Sequence, residues 1–213
     1  MTTRANAASA SGEFMSRAGP RLVLAALLAL ALPTGIVAMM QGSGGLRLPF
    51  NLFLVDERLP GLFRLHMLAS GLSLLTIPTA IFLARRHSPW HRGVGRLAAV
   101  CVLAGGLTSL PVALSSESVA MARAGFFAQG IVWLALLAAG VRAIRARNVH
   151  DHARYMLAMA AVASGAIWVR LTTTIATGWD LPFDPLYSCA AWAGWLVPLV
   201  LVWRFTPALL ARA

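Results

Sequence analysis

Long apolar runs alternate with short polar segments along the chain, and the runs are of bilayer length. About 20 apolar residues at 1.5 Å per residue cross a hydrocarbon core of about 30 Å. Six stretches meet or approach that length: Leu22–Met40, Leu62–Ala84, Leu97–Ala113, Ala124–Ile144, Tyr155–Ala176 and Leu186–Phe205. The expected fold is therefore all-α: a polytopic integral membrane protein with a six-helix transmembrane bundle spanning residues 21–206. Residues 1–20, rich in Ala, Ser, Thr and Arg, read as a disordered cytoplasmic tail, and residues 207–213 as a short second tail. Leu22–Met40 follows Arg17 and Arg21 as a signal peptide would. Its length, and the lack of a clean small-residue cleavage site after it, favour an uncleaved first span. Gln41–Gly61 reads as a long polar connection. No internal repeat is evident.

Composition sharpens this picture. The chain is 59% hydrophobic over 213 residues, more apolar surface than a soluble domain of that length can bury. Its formal charge of +11 comes from arginines scattered over separate short loops, with no lysine anywhere. No basic soluble domain exists to carry nucleic acid, so the bilayer and its anionic lipid headgroups are the expected partners. Arginine bias also sets the orientation. With the N-terminus inside, thirteen arginines fall on inner segments and five on the outer half. Both termini are then cytoplasmic. Cys101 and Cys189 each fall alone inside a span and read as small buried hydrophobes rather than a disulfide or metal pair.

Two constellations could carry chemistry. The first lies in the basic connections Arg85–Arg96 and Arg142–Arg154. His91 and His152 each precede a span on the inner face. Below His91 run Gly95, Ala98, Ala99, Val102 and Gly106; below His152 run Met156, Met159, Ala160 and Ala163. A histidine above a face of little bulk is what bis-histidine ligation of a haem b between two helices requires. The same small residues also serve plain close helix packing. His87 and His150 enlarge the set to four histidines, a weak zinc-like metal candidate with His87, His91, His150 and His152 as ligands.

The second constellation is His66 and Arg170, both placed in the outer half. An arginine within a span costs roughly 2.5–3.5 kcal/mol even on insertion scales and calls for water, carbonyls or a carboxylate. Either it snorkels toward the interface beside Trp168 and Trp179, or it turns inward to His66 and forms an anion or quinone headgroup site. Asp56, Glu57, Glu117, Asp180 and Asp184 are its candidate acidic partners. Trp192 and Trp195 read as an interfacial aromatic belt, and Ala161-x-x-x-Gly165 and Ala190-x-x-x-Gly194 as close helix contacts.

The ordered elements Arg64-Leu65-His66, Trp90-His91-Arg92-Gly93-Val94-Gly95-Arg96 and His152-Ala153-Arg154-Tyr155-Met156, followed by Arg170 and a tryptophan-bearing sixth span, resemble a bacterial membrane family catalogued as domain of unknown function 2306. The resemblance runs from Leu62 to Phe205. It implies a multi-pass protein of the bacterial inner membrane and no established activity. A looser similarity is to two-haem transmembrane cytochromes of the b type. That comparison implies four histidines paired at two depths. Here the fourth span offers only Gln129 opposite His66, so the second haem site is incomplete. A haem-associated or redox membrane protein using His91 and His152 is the leading expectation. A small-molecule transporter or a scaffold subunit is the alternative. A transporter would need a polar midplane pathway, and few midplane polar residues are available beyond Thr108 and Gln129.

Overall fold

The computed structural model describes residues 29–210, with side chains as far as Phe205. The tail expected over residues 1–20, the start of the first expected span and residues 211–213 lie outside the described residues. The described residues form helices alone: α1 (Ala29–Gly42), α2 (Phe50–Arg58), α3 (Leu62–Arg85), α4 (His91–Ser115), α5 (Ala120–Arg145), α6 (Val149–Ala163), α7 (Gly165–Gly178) and α8 (Phe183–Leu210). Among the described residues there is no strand. Five segments are long and apolar enough to cross a membrane: α3, α4, α5, the α6–α7 pair and α8. The described part of α1 is shorter than a span, so six spans are not established, whereas a multi-pass all-helical membrane protein is.

All the long spans but α3 begin earlier than their apolar runs. A helix can start in polar residues that sit at the bilayer surface, so α4 opens at His91 rather than Leu97 and α6 at Val149 rather than Tyr155. Residues 149–178 form one 30-residue span. It tightens at Ser164 (φ −62°, ψ −17°), whose hydroxyl donates to the Ala161 carbonyl at 2.7 Å. The expected polar connection over Gln41–Gly61 contains α2. Pro49 precedes that helix, and Val55 and Asp56 are its buried residues. Gly61 (φ +72°) then turns the chain so that α2 lies back against α3.

In the bundle, α3 pairs with α4 and α5 with α6 as antiparallel hairpins; α4 packs on α5, and α8 packs on α5, α6 and α7. No backbone approach of α4 to α6 exists among the described residues, which sets them diagonally across the bundle. The space between is filled by Leu74 and Ile77 from α3 and Trp133 and Leu137 from α5, packed with Ala98, Val102, Met159 and Val162. The expected small-residue contact of the last two spans is present: a Cβ on Gly194 would lie 3.1 Å from Trp168 Cβ and 3.5 Å from the Gly165 carbonyl.

Two sequence expectations change here. Trp195 is 3% exposed and belongs to the core, donating to the Ala191 carbonyl, and Trp192 donates to the Met121 carbonyl. Trp192 thus ties α8 to α5 and Trp195 packs in the core, rather than both lining a lipid belt. Cys101 is buried as expected, but Cys189 lies on the exposed face of α8.

Candidate functional site

The two basic connections share one construction. Each preceding helix ends in a residue of left-handed conformation, His87 (φ +50°) and Arg147 (φ +60°). His87 N–H donates to the Ala84 carbonyl and Ser88 N–H to Leu83, both at 3.0 Å. Arg147 N–H donates to Ile144 and Asn148 N–H to Ala143, again both at 3.0 Å. These are paired Schellman caps, which satisfy the last carbonyls of a helix. The next helix then places a histidine that reaches back. His91 Nδ1 donates to the Ala80 carbonyl at 2.9 Å and His152 Nδ1 to the Gly140 carbonyl at 2.9 Å. Each ring bridges the two helices of its hairpin. The two hairpins are thus structurally equivalent at this end, a repeat that residue identities do not reveal.

His87 and His150 are exposed, and His150 has only the weak 3.5 Å contact with Asp151. Among the described residues no group of three or more His, Cys, Asp or Glu side chains converges, so the four-histidine metal set is not assembled. Of the small residues below His91, Ala98 and Val102 enter the core, while a Cβ on Gly95 would meet nothing within 4 Å. Below His152, Met156 fills the notch at Gly140.

At the opposite end the structure groups polar side chains within the spans. His66, one turn into α3, donates Nδ1–H to the Gly105 carbonyl of α4 at 3.0 Å, with the hydroxyls of Ser70 and Thr108 each at 3.4 Å. Gly105 makes this crossing possible, since a Cβ there would stand 2.7 Å from Ser70 Oγ. Arg170 lies eight residues before the end of α7 at Gly178, about 12 Å inside it. Its side chain runs back along its own helix, and among the described residues its one side-chain hydrogen bond goes from Nη1 to the Ala166 carbonyl at 3.3 Å. It is half-buried and within electrostatic reach of both His66 and the Tyr187 phenol. Tyr187 sits beside Ser118 and packs its ring on Phe126 and Phe183, with centroids 5.4 and 5.2 Å away.

The acidic partners expected for Arg170 are engaged elsewhere or face outward. Asp56 is 6% exposed and takes a two-pronged contact from Arg64, at 3.2 Å to Nε and 2.9 Å to Nη2. Glu117 pairs with Arg58. Asp180 and Asp184 are exposed, and Glu57 lines an open cavity of ≈ 390 Å³ with Arg47, Asp56 and Arg64. Among the described residues Arg170 has no carboxylate. Tyr187, Ser70 and Ser118 were not singled out in the sequence, since a phenol near a helix start and single serines within spans carry no distinct signal.

A bundle of long apolar helices with a polar cluster held inside it is a multi-pass membrane protein. The chain belongs to the family described as "predicted membrane protein (DUF2306)", whose sequence profile matches residues 63–206. The family has no assigned function, and its match covers both hairpins and the His66–Arg170 cluster. No curated protein and no solved structure matches the chain.

Proposed function

We propose that this protein binds a lipophilic small molecule through an oxygen-rich headgroup, an anion or a quinone, at the His66–Arg170–Tyr187 cluster. The observation that supports this is Arg170, a permanent cation inside a span that lacks a carboxylate among the described residues. Intramembrane cations without a counter-charge mark ligand sites. A guanidinium offers a planar fork of N–H donors matched to paired oxygens. With His66 Nδ1–H committed to Gly105, Nε2 is left as an acceptor, and the Tyr187 hydroxyl adds a donor or acceptor. Transport fits less well, since the two midplane polar residues are already bonded to backbone: Thr108 to Ala104 and Gln129 to Val162. The test is quenching of tryptophan fluorescence by a short-chain benzoquinone in the wild type and in Arg170→Gln. Saturable quenching lost in the variant is expected; equal quenching in both would overturn the assignment.

Haem b between His91 and His152 is a second candidate, for one reason. Each ring is held by an Nδ1–H···O=C bond, the kind of bond that leaves Nε2 available to a metal. Haem would supply one-electron redox chemistry there. The porphyrin would have to displace the core side chains that occupy the space between α4 and α6. Protein purified after expression with ample haem is expected to show the Soret and split visible bands of low-spin bis-histidine haem, abolished by His91→Ala or His152→Ala. A colourless product would end this assignment.

We also assign the arginine-rich end to the cytoplasmic face of a bacterial inner membrane, with six spans, both termini inside and the basic loops against anionic headgroups. The support is the thirteen-to-five arginine split. A phosphatase fused after Ala213 is expected to be inactive. Activity there would reverse the orientation.

A further inference from the structure

A groove of ≈ 520 Å³ opens on the bundle surface at the arginine-rich end, lined by Leu136 of α5 and by Leu199, Val200, Trp203 and Arg204 of α8. The α8 residues share one helical face, because positions one and four apart lie side by side. The groove's chemistry changes along its length. Leu136, Leu199 and Val200 form an apolar trough, and Trp203 and Arg204 close its end. Behind Trp203 stands a second cation: the Arg154 guanidinium lies 3.9 Å above the indole ring, with its Nε buried and without a hydrogen-bond partner. The Tyr155 ring packs 6.0 Å from the same indole. Neither Arg154 nor Arg204 is in an ion pair among the described residues.

We propose that this groove binds one anionic phospholipid, with an acyl chain along Leu136, Leu199 and Val200 and the phosphate at Arg204, next to the Trp203 ring on which Arg154 is stacked. An apolar trough ending at the unpaired Arg204 guanidinium, with a second arginine stacked on the Trp203 ring that closes it, is complementary to a phospholipid, which joins a hydrocarbon tail to a phosphate. Arginine pairs with phosphate oxygens through its planar fork. The alternative occupant, a second copy of the chain packed on this face, would bring its own Arg204 to the same end, and like charges oppose that contact. The α5 helix adds Arg142 and Arg145 in its last turn, so this end attracts an anion and repels a copy of itself. The site is independent of the cluster around Arg170.

The test is native mass spectrometry of the full chain in micelles doped with palmitoyl-oleoyl phosphatidylglycerol or with the phosphatidylcholine of the same chains. One phosphatidylglycerol should be retained in preference. Arg204→Gln should lower its occupancy about five-fold, the change that about 1 kcal/mol per basic residue corresponds to. Arg204 is exposed, so this variant keeps the fold. Val200→Trp fills the trough with both charges intact and should also lower occupancy. Arg86→Gln removes another arginine of the same end, one that lies 5.2 Å over Phe82, and should leave occupancy unchanged. Equal retention of the two lipids, an Arg86→Gln loss as large as that of Arg204→Gln, or a dimeric species abolished by Val200→Trp would each overturn the proposal.

Discussion

Replacing Arg170 by leucine is expected to stabilise the ligand-free protein while abolishing headgroup binding. The two effects share one cause. Arg170 carries its charge within the bilayer with one 3.3 Å bond to its own helix and no carboxylate among the described residues. Insertion scales put the cost of a central arginine at roughly 2.5–3.5 kcal/mol, and leucine is favourable by about 0.3–0.6 kcal/mol. Arg170 is about 12 Å from the end of its helix, so part of the arginine cost is relieved and a gain of about 1–3 kcal/mol is expected. Reversible unfolding in mixed micelles, titrated with a denaturing detergent, would measure it. Arg170→Lys separates charge from geometry. It keeps the cation but loses the fork, so it should bind a quinone or anion at least about ten-fold more weakly without gaining stability. A loss of stability in Arg170→Leu would show that the guanidinium is a structural anchor, and the site would then have no basis.

The spans were legible because lipid forces hydrophobic length, and the apolar runs locate all five long segments, with starts displaced by up to six residues. What the runs could not show is where each helix starts outside the hydrocarbon. That error placed His91 and His152 in loops, when they are the first residue of α4 and a first-turn residue of α6, each bonded to a carbonyl of the preceding helix. Helix α2 was hidden by its shortness, nine residues being too few to cross a bilayer, and by its polar end. Asp56-Glu57-Arg58 reads as loop until Gly61 folds it back and Asp56 meets Arg64, eight residues on. This pairing also accounts for the acid that seemed available to Arg170. The tryptophans of the last span misled in the opposite sense: their frequency at interfaces suggested lipid contact, whereas Trp195 packs centrally because α7 and α8 approach through Gly165 and Gly194. His66 and Arg170 could be guessed from depth alone, since charge inside a span is rare. Tyr187 could not, because a phenol is ordinary at a helix end.

Gly71→Leu is expected to detach α1 from the bundle while leaving the two hairpins intact. The α1–α3 contact is backbone against backbone. A Cβ on Gly71 would stand 2.7 Å from the Gly35 carbonyl and 3.1 Å from Met39 N, and a Cβ on Gly35 would stand 2.8 Å from the Gly71 carbonyl. Seven residues along, a Cβ on Gly42 would meet the Arg64 carbonyl at 2.9 Å and Leu68 N at 3.0 Å. No rotamer change relieves these clashes, so the helices themselves must part. Overpacking of this kind costs about 1–3 kcal/mol even where the surroundings yield, and close approach is a main source of helix affinity in lipid. The site should survive, because His66 bonds to Gly105 on α4 and Arg170 lies on α7. Ala38 packs with Val55, Phe63 and Met67 in the intact contact. A short bifunctional thiol reagent should therefore join Ala38→Cys to Met67→Cys efficiently in a background free of Cys101 and Cys189. Adding Gly71→Leu should lower that yield at least about ten-fold, consistent with a loss of more than 1.4 kcal/mol. Gly95→Leu, at a glycine whose Cβ would meet nothing within 4 Å, should leave it unchanged. Undiminished cross-linking in the Gly71 variant would mean that α1 is held by contacts other than the glycine approach.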